Sequence, residues 1–327
     1  MKKIVTSICM VAVVALAFTS CKKKENSQVF AFNHVTEQLV SDEGGLEKAY
    51  VDNNFTVQFE AGDKVYLFNV MNENGTGSSS GRYVVTSQMT LTPEIGEVGD
   101  HTDLNYYAFY PGENVTTHMS NENRATFRLD PTQTCTVDAD GKPMIPAGTL
   151  YMAAKDETAQ TVAQSFFNFK NIMGVLSLKF YSPSGRKVKS IAVTDKKFHL
   201  FGDVTLKIHE VDPIYMTTLF RNYSDTPEYL NELNAYKTRL GYEISGVTGS
   251  TVVLDCSQVP GGGVQLGQTA AEATRFFIVL RPLALLNGCD IEVTFDDDDV
   301  ATISSSRDNR ISPNVIKNIS AVNIDTY

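Results

Sequence analysis

Five histidines, five cysteines and one run of four aspartates are the residues whose types could do chemistry in this 327-residue chain. His34, His101, His118, His199 and His209 stand apart from one another and from Cys or carboxylate partners at ligand spacing, which argues against a zinc centre. GxSxG, P-loop and HExxH patterns are absent, and the glycine-rich stretch 260–267 is followed by no Lys-Ser/Thr. Asp296, Asp297, Asp298 and Asp299 could offer oxygens to Ca²⁺, which takes six to eight. They lack the alternating spacing and the bidentate Glu of an EF-hand, and they fall between two strand patterns, where a solvated hairpin turn belongs. The densest aromatic cluster holds Tyr106, Tyr107, Phe109 and Tyr110. Exposed, Tyr106 and Tyr110 would stack on sugars; on a strand, such alternating aromatics pack a core. No catalytic residue, metal centre or cofactor is expected, and the chain does not read as an enzyme.

The cysteines divide by position. Met1-Lys2-Lys3, an apolar run from Ile4 to Phe18 and Thr19-Ser20-Cys21 make a secretory signal of residues 1–20. Phe18-Thr19-Ser20-Cys21 resembles a lipobox, which makes Cys21 a lipid attachment site. Residues 21–28 follow as a polar tether containing Lys22-Lys23-Lys24. Acyl chains on Cys21 would bury methylenes at ~0.8 kcal/mol each, and Lys22 after the cysteine implies sorting to the outer membrane. Cys135, Cys256 and Cys289 remain, without CxxC spacing; they read as small buried residues, with room for one disulfide.

The elements that must position these residues are strands. Val204, Leu206 and Ile208 alternate with polar residues, as do Leu176, Leu178 and Phe180, Ile291, Val293 and Phe295, and Phe55, Val57 and Phe59. The continuous run Phe276–Leu280 predicts a central strand. Turn signals such as Gly62-Asp63, Asp140-Gly141 and Ser184-Gly185 separate them. One helix is predicted after Thr226-Pro227, with Tyr229, Leu233, Tyr236 and Leu240 on its face. The polar stretch Ala153–Gln164 is the expected boundary between an N-terminal sandwich over 29–162 and a C-terminal sandwich over 163–327.

Composition narrows the partners. Lys and Arg number 28 against 38 acids. Without residues 1–20 the balance is 26 against 38, a net of −12, which disfavours nucleic acid. No interior stretch reaches the ~20 apolar residues of a membrane span.

Several segments, in order, resemble the fimbrillin family of Bacteroidales surface lipoproteins. They are Phe59-Glu60-Ala61-Gly62-Asp63-Lys64-Val65-Tyr66, then Tyr107-Ala108-Phe109-Tyr110-Pro111, then Leu150–Ala153. Phe167–Leu176, Leu200-Phe201-Gly202-Asp203, Phe276–Pro282 and a terminal hairpin ending in a last strand over Ile311–Ile324 complete the series. The resemblance implies an all-β chain of two tandem transthyretin-like antiparallel sandwiches, the predicted helix inserted in the second. It implies a fimbrial structural, anchor or tip, or cell-adhesion role at the cell surface, with other fimbrial subunits and host or bacterial surface ligands as partners. Family subunits lose their first strand to a protease and accept one from a neighbour. The first arginine here is Arg82, so cleavage after an early arginine is excluded; Lys48 is the candidate processing site. The alternative is a surface glycan-binding lipoprotein of a polysaccharide uptake system, with Tyr106 and Tyr110 as contacts.

Overall fold

The structure, a computed structural model, describes residues 29–36, 38–42, 58–70, 79–100, 105–119, 124–156, 158–196, 199–207, 243–282 and 284–327. Every regular element longer than three residues within them is a β-strand. The helix expected after Thr226 and the Phe55–Val57 part of the first alternation lie outside the described residues.

Four sheets form. The largest contains β1 (Phe30–Ala31), β2 (Asn33–Thr36), β4 (Lys64–Val70), β5 (Ser80–Val85), β6 (Thr90–Gly96), β7 (Asn105–Tyr110), β11 (Met152–Asp156) and β12 (Phe166–Asn171). Its order is β1-β6-β5-β4-β7-β11-β12-β2. A five-stranded sheet contains β3 (Val40–Ser41), β13 (Gly174–Tyr181), β19 (Thr274–Leu280), β22 (Val315–Asn318) and β23 (Val322–Asn323). It runs β19-β13-β22-β3, with β23 also on β13. A six-stranded sheet contains β10 (Thr132–Thr134), β14 (Lys187–Asp195), β17 (Thr251–Asp255), β18 (Val264–Gln265), β20 (Cys289–Phe295) and β21 (Val300–Ser305). It runs β10-β17-β14-β20-β21, with β18 on β14. The fourth, β16-β15-β9-β8, contains β8 (Val115–Met119), β9 (Arg124–Leu129), β15 (Phe201–Lys207) and β16 (Glu243–Gly249).

Period two explains how the sheets layer. On β4, Val65 and Leu67 enter a first core while Tyr66 and Phe68 enter a second. β7 does the same, with Tyr106 and Ala108 on one side and Tyr107 and Phe109 on the other. The five-stranded sheet repeats the device: Phe277 and Val279 face the second core, and Phe276, Ile278 and Leu280 face a third. Three cores thus alternate with two sheets that are covered on both faces.

Two segments differ from expectation. Ala153–Gln164, read as polar and unpatterned, contributes residues 153–156 to β11, a strand hydrogen-bonded between β7 and β12. Met152, Ala153 and Ala154 are all buried, because cores lie on both faces and the alternation disappears. Ile311–Ile324 is not the last strand of a hairpin; it supplies β22 and β23, both parallel to β13. The run Phe276–Leu280 is a strand but ends its sheet. Its outer edge is met at Val279 by the side chain of Gln133, which donates to the Val279 carbonyl at 2.6 Å and accepts from its N–H at 2.9 Å. A side-chain amide there does the work of a neighbouring strand.

Candidate functional site

Residues 30–42 run along the open edges of two sheets. β1 pairs with β6 and β2 with β12, the two ends of the eight-stranded path, so one short segment closes that path on itself. β3 then extends the five-stranded sheet through β22. Phe30 and Phe32 fill the first core and Leu39 the second. The alternation of Phe30, Phe32 and His34 is the sequence signal for this segment.

The groove beneath this segment is built from the family-like motifs. Phe59 packs edge-on against Phe32 and Tyr110, both at 4.9 Å between ring centroids, and tilts on Phe169 at 5.1 Å. His34 stacks on Phe32 at 4.2 Å. The Gly62-Asp63 turn holds the groove wall. Gly62 has φ +102°, which disfavours a side chain, and its N–H donates to Val85 at 2.8 Å. Asp63 accepts from the Glu60 N–H at 2.7 Å and from the Tyr110 hydroxyl at 3.3 Å. Burial first, and then the Asp63 charge, push the Tyr110 hydroxyl well above its usual range. A Cβ on Gly112 would lie 2.7 Å from the backbone of Val65 and Tyr66, so the chain after Pro111 packs directly on β4. The motifs mark one locus because each supplies a turn, a ring or a close approach to it.

At the other end of the segment, Asn171 donates to the Asn314 side chain at 2.8 Å, and Asn314 donates to the Gln38 carbonyl at 3.1 Å. The Val40 N–H returns to the Asn314 carbonyl at 3.0 Å. Asn314 is fully buried at φ 58°, a conformation asparagine tolerates better than most residues. Lys317 and Asp42 close the end with a partly exposed pair at 2.9 Å, worth little by itself.

The other sequence candidates fall elsewhere. Tyr106 is 1% exposed and its ring belongs to the first core, while Tyr110 is half-buried in the groove. Asp296–Asp299 form the β20–β21 turn, as the hairpin reading expects. Arg186 meets Asp299 at 2.6 Å and Asp297 at 3.3 Å, and Lys189 meets Asp298 at 2.5 Å. The Arg186 guanidinium lies 3.5 Å over the Phe295 ring, and its hydrogen bond holds the Asp299 carboxyl below the usual range. Among the described residues, no group of three or more His, Cys, Asp or Glu is placed to hold a metal ion. Cys21 and Lys48 lie outside the described residues, Lys48 in the stretch between Asp42 and Gln58. Among the described residues, no helix is long and apolar enough to cross a membrane.

No family model matches the chain, and no curated protein matches it in sequence. Solved structures similar to it include a candidate cell adhesion protein from Bacteroides ovatus at 11% identity and TM-score 0.44, covering 86% of this chain and 87% of that one. A fimbrial protein from the same species is 12% identical with TM-score 0.38, over 90% of this chain and 48% of that one. The tip fimbrial protein Mfa3 from Porphyromonas gingivalis, with a C-terminal truncation, is 6% identical with TM-score 0.35, over 75% of this chain and 76% of that one.

Proposed function

We propose that the chain is a fimbrillin-type surface lipoprotein, held to the outer membrane by lipid on Cys21, that serves as a structural, anchoring or adhesive component of fimbriae. The observation that carries this reading is the edge-laid segment 30–42. Cleavage near Lys48 would free the segment bearing β1, β2 and β3. It would leave unpaired backbone along β6, β12 and β22, and an apolar groove lined by Phe59, Tyr83 and Phe169. A strand from a neighbouring subunit, alternating in the manner of Phe30 and Phe32, satisfies both needs at once. Retained, the same segment closes the groove and makes the chain an anchor, a cap or a non-polymerising adhesin.

The finer architecture belongs to the same proposal: tandem transthyretin-like sandwiches over 29–162 and 163–327. The first core draws its buried residues from the first span except Phe167 and Phe169, and the third draws its own from the second span except Cys135, which supports it; β9 and β10 reach from the first span into sheets of the second, and β12 reaches back into the eight-stranded sheet. Mass spectrometry of protein taken from its native surface tests the role. An N-terminus at lipidated Cys21 assigns an anchor or cap. An N-terminus near Ala49 together with detergent-resistant ladders assigns a shaft subunit. An unlipidated, uncut protein in the culture fluid refutes both.

A further inference from the structure

Cys135 follows β10 and Cys256 follows β17. These strands pair in parallel, with Thr132 opposite Val253, Gln133 opposite Leu254 and Thr134 opposite Asp255. One step further, the same register sets Cys135 opposite Cys256. The ladder reaches that step, since the Cys135 N–H donates to the Asp255 carbonyl at 2.8 Å. The alternation is right as well: Gln133 and Cys135 are buried on either side of exposed Thr134, and Leu254 and Cys256 are buried around half-buried Asp255. Both residues are buried in the third core, and the neighbouring thiol is the largest influence on each, lowering the Cys135 thiol and raising the Cys256 thiol. Facing residues of paired strands lie about 5 Å apart, within the ~4.4–6.8 Å between Cα atoms that a disulfide spans. Cys289 is excluded from this contact, because β20 is separated from β17 by β14.

We infer that Cys135 and Cys256 form a disulfide in the exported protein, tying the edge strand β10 to β17. The choice of partners rests on register alone; the oxidising setting rests on the export proposed above. The reaction is thiol–disulfide exchange with a small-molecule or protein disulfide as oxidant. One cysteine, as thiolate, attacks a donor sulfur to give a mixed disulfide. The second thiolate then displaces the donor, so one S–S bond forms, one breaks, and the two protons end on the donor thiols. Both sulfurs are buried, so exchange belongs to folding or to fraying of β10. Once made, the bond is shielded from reductants. It would also fix Gln133, two residues before Cys135, against the β19 edge, and it closes a chain loop of more than 100 residues.

Trypsin separates the three cysteines onto the peptides Leu129–Lys155, Leu240–Arg275 and Phe276–Arg307. The full chain, exported with its own leader and alkylated in denaturant without reductant, should yield the first two peptides linked and the third alkylated. In a second arm, purified reduced protein is refolded with oxidised glutathione, which reads the pairing independently of where the cell sends the protein. Linked peptides in both arms support the inference. Singly alkylated peptides in both arms, or a link through Cys289, overturn the pairing. A link made by glutathione but missing from envelope-fractionated protein overturns the claim for the exported form. Oxidised protein should melt about 10 °C above reduced protein, and Cys135→Ser and Cys256→Ser should each abolish that difference. If either variant does not fold, the peptide map of the unaltered chain still decides.

Discussion

Phe32→Ala isolates the closure of the eight-stranded path, because Phe32 sits between the two strands that complete it. The ring is 5% exposed and touches His34 at 4.2 Å, Phe59 at 4.9 Å and Phe169 at 6.0 Å. Truncating a buried phenylalanine costs about 3–5 kcal/mol, the aromatic contacts included. The backbone holding the segment is sparse: two paired positions for β1, four for β2 and two for β3, plus the Phe32, Val40 and Asp42 N–H groups on the Met89, Asn314 and Ile316 carbonyls at 2.9, 3.0 and 3.0 Å. So few bonds make local opening the least costly response. At ~1.4 kcal/mol per decade, opening of residues 30–42 should increase by roughly 10²- to 10³·⁵-fold. Hydrogen exchange read by mass spectrometry should show this acceleration in residues 30–42 and in the β6 and β12 amides that face them. Amides of β13 and β14 should keep their wild-type rates. Ile95→Ala, at a 59% exposed position on β6, is the control and should change neither. Equal acceleration across all sheets, or none in residues 30–42, would refute the view that this segment closes the path as a separable piece.

Gln133→Leu leaves the Val279 N–H and carbonyl unpaired in a buried place; at roughly 1–3 kcal/mol for each group, the urea midpoint should fall with an unchanged slope. An unchanged midpoint would remove the strand-like role of that amide. Gly174→Ala sets a Cβ 2.6 Å from the Ile311 methyl and against the Ser312 carbonyl oxygen, so a loss of about 1–3 kcal/mol or more should appear in thermal melts. A variant as stable as the parent would show that the Ile311-Ser312 backbone can shift away. Burial would raise the Asp156 carboxyl, but the Phe166, Thr158 and Ala159 N–H groups and the Thr158 hydroxyl outweigh it and hold it below the ordinary range. A folded pKa below the unfolded value of ~3.9 means stability that is present above about pH 4 and lost as pH falls through the folded pKa. Asp156→Asn should therefore lower stability at pH 7 and flatten the acid limb below about pH 4; parallel curves for both proteins would contradict it.

Strands with one regular alternation were legible from residue order. β13, β15 and β20 follow the patterns of Leu176–Phe180, Val204–Leu206 and Ile291–Phe295, since side-chain period is a local property of extended backbone. The all-β class follows from those strands, as does the aspartate turn. β11 was hidden for the opposite reason: two buried faces erase the period, and Ala153-Ala154 beside Lys155 looks like a linker. The groove was legible only as scattered motifs. Gly62-Asp63, Tyr110-Pro111 and Phe167–Phe169 signalled a turn, an aromatic strand end and an alternating strand, but not that they surround one segment.

Residue order settled the alternation, the acidity, the basic and apolar start that ends at Cys21, and the lack of an arginine before Arg82. These are properties of neighbours along the chain. Which edges residues 30–42 cover, which side chain pairs with Val279, and which of three cysteines face each other came from the folded arrangement. The pairings that decide them, β2 with β12, β3 with β22 and β10 with β17, are parallel and join residues more than 100 positions apart. No local preference encodes a parallel register across that distance. It is set by which apolar faces can be buried together once the sheets stack.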